Sequence, residues 1–186
     1  MNIANKLTFL RFVLVFVFMA VIWIPFMSLE YSLWTALVIF VVASITDFFD
    51  GYLARKLNLV TNLGKFMDPL ADKVLVAAAM IAIVDIGSDL PSGILPAWIV
   101  VIILIREFAV SGIRLLAATS QVVIAASYLG KIKTVTQMAM IIVYLIPIHS
   151  NILQLLASIL SFAALAMTII SGIEYIWTNR QIIYQE

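Results

Sequence analysis

The stretch "TDFFDGYLARKLNLVTNLGKFMDPLADK", residues 46–73, decides how this chain is read. It sets four aspartates, two glycines and the basic residues Arg55, Lys56, Lys65 and Lys73 between strongly apolar segments. The whole chain of 186 residues is 65% hydrophobic and 11% charged, with a mean hydropathy of +1.16. That balance is far from a soluble domain and places the chain among polytopic membrane proteins. Ionised groups near hydrocarbon are costly, so this concentration of charge needs a reason.

Working outward, six apolar stretches can be read at roughly residues 8–27, 32–54, 66–86, 95–118, 132–148 and 151–177, each near the ~20 residues a helical span requires. The expected fold is all-α, a bundle of six transmembrane helices forming a single domain over residues 1–186. Basic residues are retained on the cytoplasmic side of a membrane. Lys6 and Arg11, the four basic residues of the central stretch, Arg114, Lys131, Lys133 and Arg180 all fall to one side of this alternation. The other junctions carry Glu30, Asp85, Asp89 and His149, without Lys or Arg. Both termini are therefore expected in the cytoplasm, and Trp23, Trp34 and Trp98 near the outer interface. The first segment is expected to remain as a span, because no small-x-small cleavage pattern follows it. The absence of cysteine excludes disulfides, thiolate metal sites and thiol nucleophiles. A net charge of +1 says little, but its one-sided distribution suits an anionic lipid or phosphate.

Asp47 and Asp50 are spaced i, i+3 near the end of the second span, and Asp68 and Asp72 are spaced i, i+4 near the start of the third. Each pair shares a helix face. A short connection lets the two helices pack antiparallel and the four carboxylates converge. Unneutralised they would repel, and some would protonate; one or two hard divalent cations, Mg2+ or Mn2+, resolve the conflict. Gly51 removes a side chain where a ligand or helix approaches, Gly64 turns the chain or tightens packing, and Pro69 is read in a first helical turn. Taken singly, each of these residues also reads as an ordinary cap or loop residue; together they read as a metal centre.

The pattern Asp47-x-x-Asp50-Gly51-x-x-Ala54-Arg55, eight residues, then Gly64-x-x-x-Asp68-x-x-x-Asp72 resembles the complete signature of the CDP-alcohol phosphatidyltransferase family. The resemblance implies an integral membrane enzyme that displaces CMP from a CDP-linked lipid with an alcohol. It also implies that Asp47, Asp50 and Asp68 hold divalent metal, that Asp72 completes the cluster and takes the acceptor's proton, and that Gly51, Ala54, Arg55 and Gly64 belong to the CDP-diacylglycerol site. Asn5, Thr8 and Arg11, at i, i+3 spacing, are further candidates for that site or an interfacial anchor. Lys73 is read with the CDP-diacylglycerol site, where it either contacts phosphate or relieves carboxylate repulsion.

The segment "IREFAVSGIRLLAATSQVVIAASYLGKIKTVTQM", residues 105–138, adds Arg106, Arg114, Lys131 and Lys133. Such a cluster suits a phosphate monoester. Arg106 lies deep in its span beside Glu107, so a structural ion pair is the competing reading. The "REF", "SGIR" and "GKIKT" runs, with the N-terminal "NKLTFLRF", are similar to the bacterial phosphatidylglycerophosphate synthase branch of the family, although Ala4 stands where many relatives have proline. That likeness implies glycerol 3-phosphate as acceptor, a homodimer, and a place in the bacterial cytoplasmic membrane with the active site facing inward. Serine, inositol, inositol phosphate and phosphatidylglycerol are the alternative acceptors within the family. Outside it, a divalent-cation transporter and a non-catalytic assembly protein compete. Transport favours polar residues along a path to both faces, whereas these aspartates gather near one.

Overall fold

The computed structural model describes residues 3–24, 27–56, 62–119 and 127–180. Among these, six α-helices run in order: α1 (Ile3–Trp23), α2 (Leu29–Lys56), α3 (Asn62–Ile86), α4 (Ala97–Thr119), α5 (Tyr128–Leu145) and α6 (Asn151–Thr178). Each coincides with one apolar stretch of the sequence. No strand occurs among the described residues. In so apolar a chain the helix is the form that satisfies every backbone N–H and C=O within its own segment. Hydroxyls follow the same rule: Thr35 donates to the Tyr31 carbonyl, Thr46 to Val42 and Ser161 to Ala157, each one turn back.

α1 packs on α2 and α3, α5 lies against α6, α2 and α3, and α4 closes on α6 and α3. Phe18, Leu33, Phe40, Met80, Ile83, Ile103, Met140 and Ile141 fill the centre. Ala36, Ala43, Ala79, Ala157 and Ala164 are fully buried between helices, where small side chains permit close approach.

Among the described residues, large apolar side chains lie outside and some charged ones inside. Phe16 is 68% exposed and Ile152 77%, while Arg11 is 1% and Lys133 3% exposed. Leu29–Thr46 of α2 and Asn151–Thr178 are long and apolar enough to cross a membrane, and Phe9–Trp23 is a shorter apolar run. At 28 residues, α6 is about 42 Å long, more than the ~30 Å of a hydrocarbon core. Arg106, Glu107 and Arg114 interrupt the apolar run of α4 without breaking the helix, and Lys131 and Lys133 occupy the start of α5.

Hydrogen bonds mark one end of the bundle. There Trp23 Nε1 donates to Asp85 Oδ2 at 2.7 Å, joining the last turns of α1 and α3. The loop after α3 closes over the same end: Ser92 Oγ donates to the Tyr144 carbonyl at 2.9 Å, and Gln154 Nε2 to that of Pro91 at 3.1 Å. This loop takes φ +59° at Gly87 and +93° at Gly93, values that a Cβ disfavours. His149 is exposed here too.

α3 departs from expectation at its start. It begins at Asn62, so Pro69 lies two turns inside the helix rather than in its first turn. Proline there removes one donor to the residue 65 carbonyl without ending the helix, a cost helices tolerate where neighbouring segments surround them.

Candidate functional site

α2 runs unbroken through positions 47 and 50 and α3 through 68 and 72. The i, i+3 and i, i+4 spacings are therefore true helical spacings, on two helices that touch. The side chains of Asp47, Asp50, Asp68 and Asp72 lie outside the described residues, as do those of Asn5, Thr8, Gly51, Ala54, Arg55 and Gly64. The donor set nonetheless suits a hard divalent cation by its chemistry, since four carboxylates offer oxygen ligands and negative charge.

The described part of the site begins one residue further along α3, at Lys73. Its ammonium donates to Glu107 Oε2 at 3.0 Å and to the Glu107 carbonyl at 3.3 Å. Glu107 Oε1 accepts from Arg106 Nη1 at 3.0 Å and from the Lys133 ammonium. One carboxylate thus receives cations from α3, α4 and α5. Ser111 Oγ donates to the same residue's carbonyl at 2.6 Å. Among the described side chains, three cations meet one anion and two positive charges stay unbalanced. Lys133 is 3% exposed and Glu107 16%, so water screens little of this charge.

Arg106 reaches a fourth helix. Its Nη2 donates to Ser171 Oγ on α6 at 3.0 Å. The stalk crosses α6 at Gly172, where a Cβ would stand 3.1 Å from Arg106 Cγ. The fork also lies beside the first turn of α5, 4.0 Å from where a Cβ on Gly130 would be. That turn is held by Ser127, whose side chain accepts from Gly130 N. Arg106 Nε, Thr168 Oγ1 and Tyr175 Oη are buried without a hydrogen-bond partner among the described residues.

A small pocket opens beside this cluster, lined by Lys73, Ala77, Met80, Glu107, Lys133 and Gln137 among others. Its lining combines ionic and apolar side chains, with Gln137 Nε2 donating to Met80 Sδ at 3.4 Å.

The four basic residues expected around a phosphate separate into two pairs. Arg106 and Lys133 meet on Glu107. Arg114 is exposed and stacks on the Tyr175 ring, 5.6 Å from its centre, and Lys131 is exposed. Lys73, read at the nucleotide-lipid side, has its ammonium in the Arg106–Lys133 group. The ion pair that the sequence offers as the competing reading of Arg106 is present, Nη1 to Glu107 Oε1 at 3.0 Å; what sequence reasoning missed is that Glu107 also draws in Lys73 and Lys133. Ser171, Gly172 and Tyr175 were absorbed into an apolar span. The available signal was the run Thr168, Ser171, Gly172, Tyr175, spaced i, i+3, i+4, i+7, a polar and small stripe on one face of an otherwise apolar helix.

A sequence profile of the CDP-alcohol phosphatidyltransferase family matches residues 1–170. The chain is 41% identical to the CDP-diacylglycerol–glycerol-3-phosphate 3-phosphatidyltransferase of Bacillus subtilis, aligned over 96% of this chain and 95% of that protein. It is 39% identical to the probable phosphatidylglycerophosphate synthase of Mycobacterium tuberculosis, over 94% of this chain and 80% of the relative. With the Shigella flexneri protein that shares the Bacillus protein's name it is 35% identical, over 96% and 95%.

Proposed function

The chain belongs to the CDP-alcohol phosphatidyltransferase family, and we propose that it transfers the phosphatidyl group of CDP-diacylglycerol to glycerol 3-phosphate, forming phosphatidylglycerophosphate and CMP. The observation that carries the acceptor is the excess of positive charge that, among the described side chains, gathers half-buried on Glu107. A phosphate monoester carries about −1.5 to −2 charges near neutral pH, which matches two unbalanced cations. Serine and inositol bring no phosphate to meet them; inositol phosphate does, and what favours glycerol 3-phosphate over it is the naming of the relatives.

In this reading Arg106 and Lys133 bind the acceptor's phosphate, the guanidinium as a fork and the ammonium as a point charge. Asn5, Thr8, Gly51, Ala54, Arg55 and Gly64 hold the nucleotide end of CDP-diacylglycerol. Asp47, Asp50, Asp68 and Asp72 would hold one or two divalent cations, Mg2+ or Mn2+, which when bound neutralise the pyrophosphate and stabilise the leaving group. The primary hydroxyl oxygen of glycerol 3-phosphate attacks the β-phosphorus, and the bond from that phosphorus to the bridging oxygen of CMP breaks. Asp72 takes the hydroxyl proton.

The apolar exterior and the charged interior support a multi-pass protein of the bacterial cytoplasmic membrane, one domain over residues 1–186. Lys73 and Lys133 lie away from the end marked by Trp23 and Asp85. By the rule that basic residues stay inside, the active site and both termini face the cytoplasm. A homodimer is the assembly proposed by analogy with the family.

The test is a parallel assay of the purified protein with CDP-diacylglycerol and Mg2+ or Mn2+, offering glycerol 3-phosphate, serine, inositol, inositol phosphate or phosphatidylglycerol. CMP release and a new lipid with glycerol 3-phosphate alone is the expected result. Turnover with another acceptor instead would reject the acceptor assignment, and metal uptake into vesicles without CMP would reject the enzyme.

A further inference from the structure

We infer that Glu107 is a positioning residue for this transfer, gathering the acceptor's phosphate-binding cations and tethering them to the helix that carries Asp68 and Asp72. The inference rests on the proposed reaction and deepens it. Both carboxylate oxygens are engaged, Oε1 by Arg106 and Lys133 and Oε2 by Lys73. Through these contacts one side chain joins α3, α4 and α5, and Arg106 extends the link to Ser171 on α6. Lys73 directly follows Asp72 on α3. The distance from the phosphate-binding nitrogens to the carboxylate helix is thus set by a short chain of charged contacts.

A negative charge beside an anion site needs an explanation, because by Coulomb's law alone it weakens the anion's binding. The arrangement supplies one. Without Glu107, three cations confined to one half-buried point repel one another, and the long lysine stems swing apart. With it, they are held at hydrogen-bonding distance from common oxygens, and two positive charges remain for the ligand. Preorganisation is what the carboxylate adds, at the expense of some attraction.

The two accounts differ in sign, which makes Glu107→Gln decisive. It removes the charge and keeps the shape. If Glu107 were a bystander charge, the KM for glycerol 3-phosphate would fall or stay constant. As a positioning residue, its loss raises that KM about tenfold and lowers kcat, while the KM for CDP-diacylglycerol stays within roughly twofold. Glu107→Asp, which keeps the charge on a shorter stem, recovers part of the loss. The stabilisation of the detergent-solubilised protein against heat by glycerol 3-phosphate alone, without the lipid substrate, shrinks in parallel in Glu107→Gln.

An unchanged or lower acceptor KM in Glu107→Gln overturns the inference, and so does an equal rise in both KM values. Should that variant fail to insert, Lys73→Met tests the tether from α3, leaving Glu107 with two cations. The expected result is a kcat reduced about tenfold, an acceptor KM raised a few-fold because one of the two unbalanced charges is lost, and a KM for CDP-diacylglycerol nearly held; a raised KM for CDP-diacylglycerol instead puts Lys73 on the pyrophosphate and removes the tether. A wild-type protein that does not use glycerol 3-phosphate rejects the reaction and this inference with it. A wild type that does, alongside an indifferent Glu107→Gln, rejects the positioning role alone.

Discussion

Replacing Lys133 by methionine removes one ammonium from the acceptor site while keeping an unbranched stem in the space of a side chain only 3% exposed. Glu107 then retains Lys73 at 3.0 Å and Arg106 at 3.0 Å. Its carboxylate stays compensated, so the ~3–5 kcal/mol that follows from orphaning a buried charge does not arise. The fold should survive with a small change in Tm. The phosphate loses one charged hydrogen bond, worth about 1.5–3 kcal/mol, and kcat/KM for glycerol 3-phosphate should fall roughly tenfold to a hundredfold. The assay is initial CMP release with each substrate varied while the other is saturating. Lys131→Ala is the control, because Lys131 is exposed, and its effect should be several times smaller. An acceptor KM that is unchanged in Lys133→Met, with CDP-diacylglycerol affinity lost, would refute the assignment of this ammonium to the acceptor.

Asp50→Asn should abolish transfer by weakening metal binding, and near-normal turnover in a correctly inserted protein would count against the carboxylate centre. Gly172→Ala places a Cβ 3.1 Å from Arg106 Cγ, so the arginine stalk must give by a few tenths of an ångström; the acceptor KM should rise a few-fold, while Tm measured in detergent changes little because alanine's helix gain over glycine, about 0.5–1 kcal/mol, offsets the tight contact. A reporter fused after Glu186 should be cytoplasmic and one inserted in the Asp85–Pro96 loop external; the reverse placement of the loop reporter would overturn the orientation.

The six helices were legible because each apolar stretch must become a helix if it is to satisfy its own backbone, and hydropathy finds such stretches without knowledge of neighbours. Their ends were less legible. α3 starts at Asn62, ahead of the apolar residues that announce it, because a polar helical turn leaves no mark in hydropathy. The aspartate spacing was legible for a related reason: contacts within one helix depend on sequence separation alone. Lys73, Arg106, Lys133 and Ser171 are a different case, since they come from four helices. Their meeting depends on how those helices rotate and pack, which no local pattern encodes. Sequence could group Arg106, Arg114, Lys131 and Lys133 by sign and by side of the membrane, and there the grouping divides. Arg114 stacks on Tyr175, while Arg106 and Lys133 turn inward to one carboxylate. What selects between them is the partner charge: a cation in an apolar interior must find an anion, and among the described side chains Glu107 is the carboxylate they reach. A buried acid in an apolar span therefore identifies which of the surrounding bases are inside, and so which of them can meet a substrate's phosphate.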